Sequence, residues 1–329
     1  MKLGPGHVLD GRFLLNAEIG AGGMATIFKA EDLHNARQVV AVKVPLALFG
    51  TGLGAWSMFQ REEEIGRQLD HPYILKFVPL ELDRRRTYLV TEYVPGPTLM
   101  ERLRESPTIP EREALALASK VCDAIGYMHE QGFVHYDVKP GNIMECPDGS
   151  IRLIDFGLAH AAVTGRFAFV RAPFHASGEC AAPEQIRRQG GRTSVDIYAV
   201  GALLYQMLTG QTPFPGDDHF GVTSARLVGD PPAPTALSPN VSAQAEEIVL
   251  RALRRNPSER YATAAQMKAD LDRPERVVPS GLRDRLRPVT PWRRRLRWVR
   301  HAALVALLPI ALQIGLFVLL WWHFATHKR

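Results

Sequence analysis

Apolar residues over 12–19 (Arg-Phe-Leu-Leu-Asn-Ala-Glu-Ile) predict a strand. A second strand follows to Ala30 after the Gly-rich turn Gly20-Ala21-Gly22-Gly23. Val39-Val40-Ala41-Val42-Lys43-Val44 reads as a third. Two more are expected over 75–82 and 87–90, separated by the charged turn Asp83-Arg84-Arg85-Arg86. Between the third and fourth strands, Met58, Phe59, Ile65 and Leu69 predict a helical face within 56–70. Further on the period is helical: Leu115, Ala118, Val121, Cys122, Ile125 and Met128 predict a core helix over 111–131. Asp196 to Gly210 predicts an apolar helix with a lone acid near its start, which needs hydrogen bonds if buried. A strand-rich first part and a helical second part make an α+β chain.

Composition changes this picture little, because 46% hydrophobic and 22% charged residues suit a globular chain. The net charge of +6 is local: residues 283–300 carry eight arginines against one acid, Asp284, and the remainder is close to neutral. That argues against a nucleic-acid partner. Cys122, Cys146 and Cys180 form no C-x-x-C pair, so neither a disulfide framework nor a zinc site is expected, and a reducing compartment is. The first residues, Met-Lys-Leu-Gly-Pro-Gly-His, lack the apolar run of a signal peptide.

The candidate chemistry centres on His135-Tyr136-Asp137-Val138-Lys139-Pro140-Gly141-Asn142 and on Asp155-Phe156-Gly157. Phosphoryl transfer needs positioning and cations against developing negative charge, and little covalent help. Asp137 offers a base for a hydroxyl, Lys139 a cation for a phosphate, and Asn142 and Asp155 oxygen ligands for Mg2+. A polar loop between helix and strand is the plainer reading; the two spaced motifs together weigh against it. Lys43, inside an apolar run, either snorkels from an edge strand or meets a carboxylate. Glu62, Glu63 and Glu64 are on offer, and Glu62 shares a face with Phe59, Ile65 and Leu69.

At these residues the chain resembles the protein kinases, and Gly-Gly-Met at 22–24 resembles the bacterial serine/threonine kinases of the Hanks type. The resemblance spans about residues 10–272. It implies a two-lobed kinase fold, with a β-rich N-lobe over about 10–91 and a helical C-lobe over about 95–272. It implies ATP and Mg2+, or Mn2+, with Asp137, Lys139, Lys43 and Glu62 as catalytic residues and Asn142 and Asp155 holding metal. Gly20, Ala21, Gly22, Gly23, Ile27, Ala41, Lys43, Thr91, Glu92, Val94 and Met144 are then the nucleotide site. Thr91 is the gatekeeper of a hinge over 91–96, and Met144 the floor of the adenine pocket. Asp196 supports the catalytic loop, and Arg260 pairs with Glu184 of Ala182-Pro183-Glu184.

The departures are Ala25 for a glycine, Tyr136 for an arginine, and Cys180 for an aromatic residue. Tyr136 removes the cation that pairs with a phosphate on the activation segment, which favours a kinase active without that phosphate. The segment carries two hydroxyls, Thr164 and Ser177, and an atypical apolar stretch over 166–171.

Residues 273–300 read as an extended Pro- and Arg-rich linker. The uncharged run Ala302 to Trp322 would span about 30 Å as a helix, a bilayer's hydrocarbon thickness. Trp292, Trp298, Trp321 and Trp322 flank it, so 301–323 reads as a transmembrane helix. The arginines before it place the kinase lobes in the cytoplasm, leaving a short extracytoplasmic tail over 324–329 and no sensor domain there. Ala311 and Gly315 form a small-x-x-x-small pair, the basis for expecting a homodimer.

The expectation is an ATP-dependent serine/threonine protein kinase anchored in the inner membrane, acting on protein hydroxyls. The family resemblance adds phosphopeptide-binding partners and an opposing phosphatase. The rival is a membrane-tethered scaffold that binds ATP or partners without catalysis, favoured by Ala25, Tyr136 and Cys180 and opposed by the intact Lys43, Asp137, Asn142 and Asp155.

Overall fold

The computed structural model describes residues 3–22, 25–46, 53–80, 87–156, 159–161, 180–187, 192–216 and 219–287. Strands β1 (Val8–Leu9), β2 (Phe13–Ala21), β3 (Ala25–Asp32), β4 (Gln38–Pro45) and β5 (Leu89–Glu92) form one antiparallel sheet in chain order. Every second side chain of such a sheet faces its core. Phe13, Leu15, Phe28, Val40, Val42, Tyr88 and Val90 are the buried set here. Two register shifts, between Leu15 and Ala17 and between Glu18 and Gly20, bend the β2–β3 hairpin towards the glycine turn. Helix α1 (Leu53–Gly66) lies by this sheet, with Phe59 buried against Ala25 and Leu89.

The second lobe is built on α3 (Glu111–Glu130), which packs against β6 (Phe133–Val134), β8 (Ile151–Leu153), α5 (Ser194–Thr209) and α9 (Ala264–Asp272). The apolar stripe expected on α3 is buried in full. Helix α2 (Leu99–Glu105) opens the lobe with a capping box between Thr98 and Glu101. Strand β7 (Ile143–Glu145) pairs with β8, and β6 with β9 (His160–Ala161). Helices α4 (Pro183–Ile186), α6 (His219–Val228), α7 (Pro234–Leu237) and α8 (Ala243–Ala252) complete it. The family of elements is the expected one: a β-sheet lobe followed by a helical lobe.

Four expectations need correction. The helix expected over 56–70 ends at Gly66, and Leu69 is buried in the following turn. Pro72 disfavours helical backbone just before it, and the Asp70 N–H is taken by the Tyr127 hydroxyl at 3.1 Å. The strand expected over 75–82 is not a ladder in its described part. The Leu75 N–H donates to the Leu153 carbonyl at 3.1 Å and the Val78 N–H to the Val90 carbonyl at 2.8 Å, so this segment crosses from one lobe to the other. Pro79 has no N–H with which to continue. The strand expected over 87–90 is displaced to 89–92, which puts Thr91 and Glu92 in β5 rather than in a hinge loop.

The linker is not extended over its described part. Residues 273–287 lie on the C-lobe, with Val277 against the core and the Ser280 hydroxyl donating to Glu247 Oε1 at 2.5 Å. The Arg287 N–H donates to Asp230 Oδ2 at 2.9 Å. No helix among the described residues is long and apolar enough to cross a membrane. Residues 288–329, with the expected membrane helix, lie outside them.

Candidate active site

The turn after β6 is held from below. Asp196 is completely buried in the first turn of α5. Its carboxylate accepts from the His135 N–H at 2.9 Å, the Tyr136 N–H at 2.8 Å and His129 Nε2 at 2.8 Å. These bonds fasten Tyr136 at φ 66°, a left-handed conformation that a bulky residue adopts only when its surroundings impose it. The Tyr136 carbonyl in turn accepts from Gln185 Nε2 at 3.1 Å, tying the turn to α4.

Asp137 follows, 8% exposed. Its Oδ2 accepts from Lys139 Nζ at 2.7 Å and from Asn142 Nδ2 at 3.0 Å, while the same amide donates to the Asp137 carbonyl at 2.8 Å. One carboxylate is therefore oriented by a cation and an amide, both supplied within five residues by a loop closed by a 3-10 turn at Pro140–Asn142. The Asp137 N–H donates to His135 Nδ1 at 3.2 Å.

Lys43 reaches across from β4. Its Nζ donates to both oxygens of Glu62 on α1, at 2.9 and 2.8 Å, and lies 3.7 Å from Asp155 Oδ1. The ammonium also sits 5.4 Å from the centre of the Phe59 ring. Glu62 is buried, whereas Glu63 pairs with Arg67 and Glu64 is exposed. Burial pushes the Lys43 pKa down, but Glu62 and Asp155 outweigh it and hold the group above its ordinary value. Burial pushes the Glu62 carboxyl up; Lys43 opposes this and Asp155 adds to it. Asp155 stands at φ 66°, a second strained backbone position beside the reacting centre.

The remaining predicted residues fall on adjoining strands. Ile27 of β3 pairs with Gly20 on one side and Lys43 on the other, and Ala41 of β4 pairs with Thr91 of β5. Gly20 and Gly22 have no internal need to be glycine. Neither is left-handed, and an added Cβ would come no nearer than 3.7 Å to Ile27 or 3.8 Å to the Ala25 carbonyl. Glycine there leaves room for something outside the chain. Gly23 lies outside the described residues. The Thr91 hydroxyl donates to the Glu92 carbonyl at 3.1 Å. The Glu92 carboxylate is turned away, accepting from the Lys76 N–H at 3.0 Å and Arg152 Nε at 3.1 Å. Val94 is buried and Met144 bridges to Thr98. At Gly96 a Cβ would lie 1.9 Å from the Glu145 carbonyl, so only glycine lets this connection rest on β7.

Sequence reasoning missed Arg152, Lys76 and Gln185. Gln185 follows the Ala-Pro-Glu motif, which was its signal; Arg152 in a short alternating strand gave none. Thr164, Ser177 and residues 166–171 lie outside the described residues, as does Gly157. The expected partner of Arg260 is in place: its guanidinium grips both Glu184 oxygens, at 2.6 and 2.8 Å, and is fully buried. Cys180 is buried, and all three cysteines are free thiols.

Among the described residues no cluster of three His, Cys, Asp or Glu side chains offers a complete metal cage. Mg2+ does not require one: it keeps waters and phosphates and takes one or two protein oxygens. The Ile154 N–H donates to the Asn142 carbonyl at 2.9 Å, which sets Asn142 beside the turn carrying Asp155. The Asn142 amide nitrogen is spent on Asp137, so its oxygen is the end left to a cation, and the Asp155 side chain is 43% exposed. This donor set fits Mg2+.

The family description "protein kinase domain" matches residues 13–271. The chain is 35% identical over 276 residues to the serine/threonine-protein kinase PknB of Mycolicibacterium smegmatis, covering 82% of this chain and 44% of that protein. It is 36% identical over 277 residues to PknB of Mycobacterium tuberculosis, with the same coverage. To the serine/threonine-protein kinase PknL of Mycobacterium bovis it is 35% identical over 269 residues, covering 80% of this chain and 66% of that protein. The chain thus spans under half the length of the PknB relatives. With a lysine–glutamate pair, an oriented aspartate and an Asn–Asp oxygen pair set between two such lobes, this chain belongs to the protein kinase domain family, among relatives that are bacterial serine/threonine kinases.

Proposed function

We propose that this chain is an ATP-dependent serine/threonine protein kinase, anchored in the bacterial inner membrane by residues 301–323 with its lobes in the cytoplasm. The observation that carries the catalytic reading is the Asp137 carboxylate, held on one oxygen by Lys139 and Asn142. Asp137 orients the acceptor hydroxyl and takes its proton. Lys139 and Lys43 face the phosphates' negative charge, and Glu62 keeps Lys43 in place. Mg2+, when held by Asn142 and Asp155, neutralises charge on the phosphates. Lys139 and the names of the relatives support hydroxyls of serine and threonine. The relatives also suggest protein substrates, and phosphopeptide-binding partners, an opposing phosphatase and a homodimer remain part of this reading. The anchor rests on the uncharged run 302–322 and the arginines before it.

The test is the full chain mixed with anionic lipid vesicles, floated, and supplied with radiolabelled ATP, Mg2+ and a basic protein substrate. The chain is expected to float and to label protein, and Lys43→Ala and Asp155→Ala to float, stay folded and transfer nothing. Label transferred by either variant would overturn the assigned roles; a chain that stays at the bottom of the gradient would overturn the anchor.

A further inference from the structure

Arg226 of α6 is 1% exposed, and a guanidinium taken out of water to that degree must use its donors. Its Nη1 donates to the Ala181 carbonyl at 2.9 Å, and its Cζ lies 5.8 Å from the centre of the Phe214 ring. Arg187 returns the tie, its Nη2 donating to the Leu227 carbonyl at 3.2 Å, so α6 and the chain around α4 are fastened in both directions. The Ala181 carbonyl and the Ala182 N–H belong to one planar peptide group. That N–H donates to Gln185 Oε1 at 2.8 Å, and Nε2 of the same side chain donates to the Tyr136 carbonyl at 3.1 Å. The Tyr136 carbonyl shares its own peptide group with the Asp137 N–H, which donates to His135 Nδ1. Four hydrogen bonds therefore run in one sense from a buried cation to the catalytic turn, through two peptide planes and one carboxamide. Each bond accepted strengthens the next one donated, and a cation at the head polarises the whole series. The far end is the strained one: Tyr136 stands at φ 66°, its N–H held by Asp196 and its carbonyl by Gln185.

We propose that Arg226 is a positioning residue for Asp137. It fixes the Ala181–Ala182 peptide and, through Gln185, the Tyr136–Asp137 peptide, so that the strained turn keeps its carboxylate aimed. Arg226 itself touches no reacting group. Without the donor on its carbonyl, the Tyr136 peptide relaxes from its left-handed conformation, and Asp137, next along the chain, turns with it.

The inference rests on the kinase reading, and two readouts keep them apart. Transfer to a basic protein by the full chain is compared with Arg226→Met, Gln185→Glu and the double variant, and backbone hydrogen exchange over 135–142 is followed in each. Arg226→Met keeps the bulk and removes the donors. Gln185→Glu keeps the size and the acceptor but, at about pH 8 where the carboxyl is ionised, has no donor for Tyr136. Each is expected to lower kcat by about 10- to 10²-fold, the cost of a misplaced catalytic group, with the KM for ATP unchanged. Exchange over 135–142 is expected to quicken in both. The double variant should lie within about threefold of the poorer single, because both substitutions cut one series of bonds, whereas unrelated packing losses multiply. An unchanged kcat in either single variant, or a double variant as poor as the product of the singles, would overturn the proposal. Should Arg226→Met fail to fold, Gln185→Glu, which leaves α6 untouched, decides by the same two readouts. An inert unmodified chain would defeat the kinase reading, and exchange over 135–142 would still decide the positioning role: faster in both variants supports it, unchanged overturns it.

Discussion

A lysine in an apolar strand must find a counter-charge, and Lys43 finds two, Glu62 at 2.8 Å and Asp155 at 3.7 Å. Its raised pKa means that this group's contribution to stability is present below 10.5 and is lost as pH rises through the folded value. Glu62 is raised by burial above 4.5, so it too favours the native state at low pH and ceases to do so as pH rises through its folded value. Catalysis runs the other way, because only the ionised Glu62 holds Lys43. The rate is therefore expected to fall, as pH drops, on an acid limb lying above 4.5. In Glu62→Gln the kcat/KM should be lower by about 10²-fold and that limb absent; a pH–rate profile of both proteins checks it, and an unchanged limb in the variant would contradict the assignment. Much of this was legible in the sequence: one charge in an apolar run, and one of three glutamates on the buried face. The left-handed Tyr136 was not legible, because its conformation is imposed by Asp196, sixty residues away. Nor was the close approach at Gly66, where a Cβ would lie 2.3 Å from the Phe77 ring, eleven residues further on.

Elements were legible where one periodicity governs a whole segment. Helix α3 has one buried stripe and ran as expected, and so did α5, whose lone acid binds two backbone donors of the catalytic loop and His129 of α3. Segments that answer to two partners were misread. Residues 75–80 bond to Leu153 at one end and Val90 at the other, which no local pattern reports. The run 273–287 has the composition of an extended linker, yet Ser280 and Arg287 find acceptors on the C-lobe. Helix α4 is four residues long and depends on tertiary bonds. Its Glu184 is buried, as is Arg260. Removing one partner leaves the other charge uncompensated, so Arg260→Ala is expected to cost about 3–5 kcal/mol in denaturant unfolding. A loss below about 1 kcal/mol would mean that water or another cation replaces the pair.

At the scale of the molecule, the site is made by two lobes that each contribute an incomplete set. The sheet lobe and α1 supply Lys43 and Glu62, and the helical lobe supplies Asp137, Lys139, Asn142 and Asp155. Lys43 touches both, pairing with Glu62 of its own lobe and with Asp155 of the other. Residues 273–287 stay docked on the C-lobe, the Arg287 N–H donating to Asp230 Oδ2. The proposed part of Asp137 is in phosphoryl transfer to protein hydroxyls. It is tested most directly by giving the full chain radiolabelled ATP and Mg2+ with a basic protein substrate, beside Asp137→Asn, and identifying the labelled residues. Label on serine and threonine that vanishes in the variant is expected; ATP bound without transfer by the unmodified chain, or equal label from Asp137→Asn, would refute that role.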